Sequence, residues 1–238
     1  EKQNCKFFPS LEELRFWEDK EYMYKKFNEL NIPMPKTSVF NIFKKIEIIS
    51  EEILKTHNFP FLIKEHFGNH SKGIKHISSK EDLNNYLIKL KSKPLTSFAV
   101  QELINDDTDY RIIVIGGKIE QCYKREKPKT REWTTTSTSN GSVIDFSIIP
   151  EAQAKEFISF SKRLGLSNAA FDASLIDGKI KVYEVSSSYL TNPEPPDKYK
   201  HIPYLYFKKR HVNFIKERIK IVFDLRNKWI KEQLKEII

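Results

Sequence analysis

The sequence predicts an α+β fold made of two α/β subdomains and a long C-terminal helix. Over residues 38–96 the apolar pattern runs strand, helix, strand, glycine-containing loop, strand, helix, which is typical of a small α/β unit. Further along, two hairpins are predicted, around Gly116-Gly117 and Asp177-Gly178. From residue 207 to residue 238, apolar residues recur at helical spacing among many basic ones, which predicts a long amphipathic helix.

These patterns divide the chain into four expected segments. They are an N-terminal helix and linker from a largely absent preceding domain (1–37), a small subdomain (38–96), a large subdomain (97–206) and a basic C-terminal helix (207–238). Within the first segment we expect one helix over residues 11–30, begun by Ser10 as N-cap with Glu13 as its capping-box partner. The apolar side of the last helix is predicted to carry Ile215, Ile219, Val222, Trp229 and Ile230.

Composition excludes several classes of protein. Of the 238 residues, 39% are hydrophobic and 13% aromatic, which is enough for a packed core and argues against global disorder. No apolar run approaches the roughly 18–20 residues of a transmembrane helix. The two cysteines, Cys5 and Cys122, are too few for a disulfide scaffold and fit a reducing cytoplasm, the expected location. The net charge of +9 favours an anionic partner but does not say which kind.

Two carboxylates on the second hairpin are candidate metal ligands. A two-residue loop would put Asp172 and Glu184 on opposite faces, because side chains alternate along a strand. We expect instead a three-residue loop, 176–178, which places Asp172 opposite Val182 with Glu184 and Ser186 on the same face. These oxygen ligands suit Mg²⁺. The alternative is that both carboxylates are solvated, as carboxylates usually are.

Two further groups of residues suggest a nucleotide site. Lys64 ends an apolar strand beside the glycine-containing loop 65–73, where a lysine and backbone N–H groups can reach phosphate oxygens. Such a pattern alone is more often a surface loop. The strand end at 101–104 offers backbone groups to an adenine edge, and Asp109 is available for ribose hydroxyls. Arg111 offers a planar donor fork to an anion, or else forms an ion pair within the sheet.

Seven weak motifs in order make a specific pattern. They are Asp19-Lys20, Ile32-Pro33-Met34-Pro35, Phe61-Leu62-Ile63-Lys64, Val100-Gln101-Glu102-Leu103-Ile104, Asp109-Tyr110-Arg111, Phe171-Asp172 and Tyr183-Glu184-Val185-Ser186. Over residues 4–190 this series resembles the ATP-grasp superfamily, and within it the RimK-like branch of ribosomal-protein glutamate ligases and their relatives. The segments 4–10, 17–20 and 131–133 are more similar still to ATP-grasp proteins of surface-polysaccharide loci.

The resemblance implies an ATP-grasp fold, with ATP and Mg²⁺ in a cleft between the two subdomains. Lys20 and Lys64 would contact the phosphates. Within Gln101-Glu102-Leu103-Ile104, Glu102 would accept from the adenine amino group with help from the backbone that follows, and Asp109 would lie near the ribose.

The resemblance also implies the residues that hold metal and act on substrate. Two magnesium ions, with Mn²⁺ as an alternative, would be held by Asp172, Glu184 and Ser186. The catalytic residues implied are three arginines, Arg111, Arg125 and Arg131.

Three features depart from the family pattern. Ser186 stands where the family has asparagine, the loop 68–73 is bulkier than usual, and residues 134–136 are threonines where an Arg-x-Asn pair is expected. Arg125 or Arg131 would therefore have to replace the missing arginine.

The function implied is an ATP-dependent carboxylate–amine ligase that works through an acyl phosphate. Its partners would be a small-molecule, glycan or peptide carboxylate and an amine, with no nucleic acid, no transmembrane segment and a homodimer as one arrangement. One alternative is a nucleotide-binding module that has lost ligase chemistry, which the departures at 134–136 and Ser186 suggest. Another is a basic nucleic-acid-binding protein, which rests on charge alone.

Overall fold

The computed structural model describes residues 8–66, 73–128, 135–136, 142–146, 149–199, 204–210 and 213–235. The chain divides into two compact units. The smaller unit is the continuous segment Glu18–Asp106, and the larger unit joins Glu1–Trp17 to Asp107–Ile238. The helices described here include none that could span a bilayer.

Helices and strands are interspersed along the chain. The helices are α1 (Leu11–Glu18), α2 (Lys20–Glu29), α3 (Ile46–Thr56), α4 (Lys80–Lys91), α5 (Glu151–Arg163), α6 (Tyr204–Arg210) and α7 (Phe214–Lys235). The strands are β1 (Thr37–Asn41), β2 (Phe61–Glu65), β3 (Ile74–Ile77), β4 (Ser97–Glu102), β5 (Thr108–Ile115), β6 (Lys118–Glu126), β7 (Val143–Asp145), β8 (Asn168–Ile176) and β9 (Lys179–Ser186). A 3₁₀ turn covers Asp197–Tyr199.

The smaller unit is built on an antiparallel four-stranded sheet in the order β1-β4-β2-β3. Its core joins the sheet to α3 and α4, which contribute apolar residues one turn apart, such as Ile49 and Ile53, or Leu83 and Leu87. Every residue of β2 is buried, and β2 lies between β4 and β3 in the sheet. This burial includes Lys64, whose charge therefore needs a partner.

The larger unit is built on an antiparallel five-stranded sheet in the order β7-β6-β5-β8-β9. On one face Phe171 packs against Phe157 of α5, with ring centres 5.5 Å apart. Side chains alternate across a strand, so Ala170 points to the opposite face, where it packs with Trp229 of α7. The helices α5 and α7 therefore cover different faces of this sheet.

The hairpin turns decide which side chains share a face. The turn at Gly116-Gly117 has two residues, as predicted, and both have positive φ. The second hairpin also has a two-residue turn, because Ile176 lies opposite Lys179. The predicted three-residue loop is therefore wrong. An extra residue in β9, Tyr183, shifts the register between Ala173 and Asp172 instead.

The first predicted helix is interrupted. The capping box is confirmed, since Ser10 N–H donates to Glu13 Oε2 at 2.7 Å and Glu13 N–H to Ser10 Oγ at 3.1 Å. A single helix over 11–30 is wrong, because Asp19 has an extended backbone and ends α1. Its carboxylate accepts from Tyr22 N–H at 2.8 Å and begins α2.

The C-terminal region also has two helices, α6 and α7, instead of one. Val222 of the predicted apolar side is buried and Trp229 packs on the sheet. Ile215 and Ile219 are exposed. The apolar pattern of α7 is wider than the face with which α7 packs on the sheet of its own unit.

The strand Ser97–Glu102 belongs to the smaller unit, where it pairs with β1 and β2. The sequence-based segment 97–206 assigned it to the large subdomain. Along the chain, the boundaries of the compact units fall instead between residues 17 and 18 and between residues 106 and 107. The unit to which a strand belongs is decided by the strands with which it pairs, and the local sequence pattern does not reveal these. The sequence-based segments remain a prediction.

Candidate functional site

One face of the larger sheet carries five charged side chains in neighbouring strands, here called the charged row: Asp109, Arg111, Arg125, Asp172 and Glu184. Arg125 of β6 lies opposite Asp109 of β5, and Arg111 of β5 lies opposite Asp172 of β8. Across the next pair of strands, Asp172 lies opposite Glu184 of β9. Three cross-strand pairs thus bring five of the predicted site residues together.

Asp172 is the centre of the charged row. Arg111 binds it with both arms of the guanidinium, Nε to Oδ1 at 2.8 Å and Nη2 to Oδ2 at 2.6 Å. Arg125 Nη2 lies 3.0 Å from the same Oδ1. Burial alone would raise the pKa of Asp172, but the two arginines outweigh it and lower the pKa to about 2. The ion pair within the sheet, left open by the sequence, is therefore present.

Asp109, on β5 of the charged row, is buried, with 5% of its surface exposed. Arg125 donates from Nε to Oδ1 at 2.6 Å and from Nη2 to Oδ2 at 2.7 Å, and the Thr136 hydroxyl also donates to Oδ2. Burial raises the pKa of this carboxyl, and Arg125 opposes that rise. Both oxygens of Asp109 are thus engaged within the unit, and its contact with a ribose remains a prediction.

The predicted metal ligands share one face through the register shift at Tyr183. Asp172 and Glu184 are directly opposite, and Ser186 lies two residues further along β9. The Ser186 hydroxyl donates to the Ser188 carbonyl at 2.6 Å and accepts from the Ser188 N–H at 3.1 Å. Two opposed carboxylates fit a hard cation such as Mg²⁺. Among the described residues, no group of three or more His, Cys, Asp or Glu side chains forms a metal site by itself.

In the smaller unit one of the two predicted phosphate lysines, Lys64, contacts a tyrosine of α2. Lys64 Nζ donates to Tyr24 Oη at 3.3 Å, and both side chains are buried. Lys20, the first residue of α2, is one turn before Tyr24 and so shares its face of the helix. Lys64 thus contacts the helix whose first residue is Lys20.

The predicted adenine segment lies at the end of β4. Gln101 is 1% exposed and donates from Nε2 to Thr37 Oγ1 at 2.9 Å, which gives it a place in the sheet. Glu102 accepts from the Lys36 N–H through Oε1 at 2.9 Å. Leu103 and Ile104 follow the strand and are half-buried. A carboxylate has further acceptor positions, so Glu102 can still accept from an amino group.

Some predicted residues cannot be compared with the structure. Arg131, Thr134 and most of the glycine-containing loop (67–72) lie outside the described residues. Two residues of the described sites were not predicted, Tyr24 and Thr136. The spacing of Tyr24 from Lys20 was a signal for the first, whereas nothing in the sequence singles out Thr136 among its neighbours.

Comparisons with known proteins show a clear structural likeness without a matching sequence. No known family profile matches the chain, and no curated protein is significantly similar to it. A D-alanine–D-alanine ligase from Bacillus anthracis complexed with ATP superposes with a TM-score of 0.57 at 17% identity, over 72% of this chain and 55% of that one. A RimK-domain ATP-grasp protein from Sphaerobacter thermophilus gives 0.56 at 15% identity, over 76% and 63%.

The ATP-grasp ligase PsnB, complexed with a minimal precursor, Mg and ADP, gives a TM-score of 0.53 at 16% identity. That match covers 72% of this chain and 50% of PsnB. The chain thus spans from half to somewhat under two thirds of the length of these three proteins. At this level of identity the likeness concerns the fold, and the fold of this chain is that of the ATP-grasp ligases.

Proposed function

We propose that the chain is a Mg·ATP-dependent ligase that joins a carboxylate to an amine. The observation that carries the proposal is the ATP-grasp fold combined with two opposed carboxylates, Asp172 and Glu184, on one face of the larger sheet. The buried lysines Lys64 and Lys20 support the same proposal from the smaller unit.

Each group of residues has a proposed task. Lys20 and Lys64 neutralise phosphate charge, and Glu102 with the backbone of Leu103 and Ile104 takes the adenine edge. Asp172 and Glu184 would hold Mg²⁺, which when bound neutralises charge on the phosphates.

The arginines of the charged row have the chemistry to orient anionic groups. Arg111 and Arg125 are planar donor forks that suit a carboxylate or a phosphate. In the proposed reaction a substrate carboxylate oxygen attacks the γ-phosphorus of ATP, and ADP leaves. The amine nitrogen then attacks the acyl carbon, inorganic phosphate leaves and the amine loses a proton. The contribution of the protein is positioning and charge stabilisation.

Nucleotide binding is tested by calorimetric titration of Mg·ATP into the whole chain, its Lys64→Ala variant and a control, Lys25→Ala. Lys25 is also on α2, but its side chain is 71% exposed. We expect saturable binding in the wild type and the control, and loss of binding in Lys64→Ala. Equal affinity in all three proteins would contradict the assignment of Lys64.

Ligase chemistry is tested by ADP release with mixtures of carboxylates and amines. The Glu184→Gln variant keeps the size of the side chain and removes its charge. We expect this change to lower turnover by at least about tenfold, since a charge-assisted contact contributes roughly 1.5–3 kcal/mol. Full activity in Glu184→Gln would overturn the proposed metal role.

A second candidate function is a nucleotide-binding module without ligase chemistry. The observation that favours it is the engagement of predicted ligands within the larger unit: Asp172 bonds two arginines, and Ser186 bonds Ser188. This function predicts saturable Mg·ATP binding without ADP release in any substrate mixture, whereas the ligase predicts both.

A further inference from the structure

The ammonium of Lys64 has a defined partner within its own unit. Its Nζ lies 3.3 Å from Tyr24 Oη and 6.0 Å from the centre of the Tyr24 ring. Lys64 is 5% exposed and Tyr24 is 2% exposed. A buried ammonium is costly without hydrogen-bond acceptors, so the tyrosine hydroxyl stabilises the charge there. The ammonium has three donors, and the bond to Tyr24 uses one of them.

Tyr24 is itself held in place. Its ring meets Phe27 edge to face, with centres 6.3 Å apart. The helix that carries it is fixed to the sheet by Glu21, whose Oε2 accepts from Ser97 Oγ at 2.8 Å. At the start of the helix, Asp19 Oδ1 lies 3.5 Å from Nε2 of His66, just beyond β2. Contacts on both sides of Tyr24 therefore fix its hydroxyl relative to the strand that carries Lys64.

We propose that Tyr24 is a positioning residue that holds Lys64 for the nucleotide phosphates. This inference rests on the proposed function, because it assumes that Lys64 binds the nucleotide phosphates. A free lysine side chain loses rotational freedom when it binds a phosphate. The Tyr24 hydroxyl restricts Lys64 before the nucleotide arrives, so less freedom is lost on binding.

A merely structural role for Tyr24 makes different predictions. If the hydroxyl only satisfies a buried charge, its removal lowers stability but leaves the affinity of the folded protein for Mg·ATP unchanged. If it positions Lys64, its removal changes both the affinity and the accessibility of the Lys64 amine. Affinity and accessibility in the folded state therefore separate the two roles.

The test compares wild type, Tyr24→Phe and Tyr22→Phe as whole chains. Phenylalanine keeps the ring that packs on Phe27 and removes only the hydroxyl. Tyr22 is on the same helix, and its ring lies near Lys26 instead, with Nζ 5.7 Å from the ring centre. Affinity for Mg·ATP is measured by calorimetry below the unfolding transition of each variant. Acetylation of Lys64 by acetic anhydride is followed by mass spectrometry, with the exposed Lys25 as an internal reference.

We expect Tyr24→Phe to weaken Mg·ATP binding by about three- to tenfold, the size of one hydrogen bond, and to speed Lys64 acetylation relative to Lys25. Tyr22→Phe should change neither quantity. If Lys64→Ala abolishes binding while Tyr24→Phe binds as wild type does, the inference is overturned and the proposed function stands. A weaker affinity with unchanged acetylation also overturns it in favour of a structural role. Absence of Mg·ATP binding in the wild type overturns the proposed function, and the inference with it.

Discussion

The carboxylate of Asp172 joins its own strand, β8, to β5 and β6 through its contacts with Arg111 and Arg125, and it lies opposite Glu184 of β9. Each arginine is also a candidate for binding an anionic group. A charged ligand that reaches the charged row must therefore compete with an existing ion pair, or share its members. The ion pair stabilises the fold only while Asp172 is ionised.

Replacement of Asp172 by asparagine should remove a pH-dependent part of the free energy of unfolding. The folded pKa is about 2, against the usual 3.8. Because the folded pKa is lowered, the contribution is complete above the unfolded value and is lost as the pH falls through about 2. At neutral pH we expect Asp172→Asn to cost about 2 kcal/mol, a difference that shrinks below pH 4.

Urea unfolding of both proteins between pH 7 and pH 2 measures this difference. Asp177→Asn is a matched control, because Asp177 is exposed in the turn of the same hairpin and a left-handed backbone accepts asparagine. A constant difference between wild type and Asp172→Asn over the whole range would contradict the ion-pair geometry.

The pairing of these residues could be predicted only in part. A shared face for Asp172 and Glu184 was expected from a three-residue loop combined with the alternation of side chains, and the shared face is present. The cause of the shared face differs from the expected one, because the register changes at Tyr183 in β9 and not in the turn. A bulge depends on how both strands pack, and a single strand's pattern does not locate it. The roles assigned to these residues remain predictions.

At the scale of elements, the turn of the β5–β6 hairpin packs closely against α7. A Cβ atom on Gly116 would lie 2.0 Å from Cδ1 and Nε1 of Trp229, whereas a Cβ atom on Gly117 would meet nothing within 4 Å. Both glycines have positive φ, +56° and +73°. A side chain at either position would be strained by the left-handed backbone. Only a side chain at Gly116 would also collide with Trp229.

Alanine at these two positions should therefore have unequal effects. Gly117→Ala should lower the free energy of unfolding by about 1 kcal/mol, the cost of a left-handed alanine. Gly116→Ala adds a clash with Trp229 and should cost at least about 1–3 kcal/mol more, as for overpacking. Thermal unfolding and limited proteolysis of α7 measure the effects. Equal losses in the two variants would mean that α7 does not pack on the turn.

The boundaries of the elements were predictable where local chemistry decides them. The capping box at Ser10 and the two-residue turn at Gly116-Gly117 were both expected and are both present. Asp19 is a frequent N-cap type, but continuous apolar spacing across it favoured one helix. The exposed Ile215 is a case in which the local pattern was not sufficient. Helical spacing identifies an apolar stripe, but it does not show how much of that stripe other elements cover.

At the scale of the whole molecule, the two compact units differ in chain continuity. The smaller unit is one segment, Glu18–Asp106, whereas the larger one needs residues from both ends of the chain. The smaller unit also has a core of its own, in which β1, β2 and β4 pack with α3 and α4. Its length exceeds the roughly 55–65 residues at which many domains already fold alone. These features indicate a unit that can fold without the remainder of the protein.

We therefore expect the isolated segment 18–106 to fold cooperatively, while the sequence-based segment 38–96 does not. The shorter segment lacks β4, which lies between β1 and β2, so its sheet would lose the ladders that join these strands. It also lacks α2 and the Tyr24 contact to Lys64. Circular dichroism, denaturant unfolding and amide hydrogen exchange would distinguish the two segments. Equal protection in both would show that β4 is dispensable, and a lack of cooperative unfolding in 18–106 would show that the smaller unit depends on the larger one.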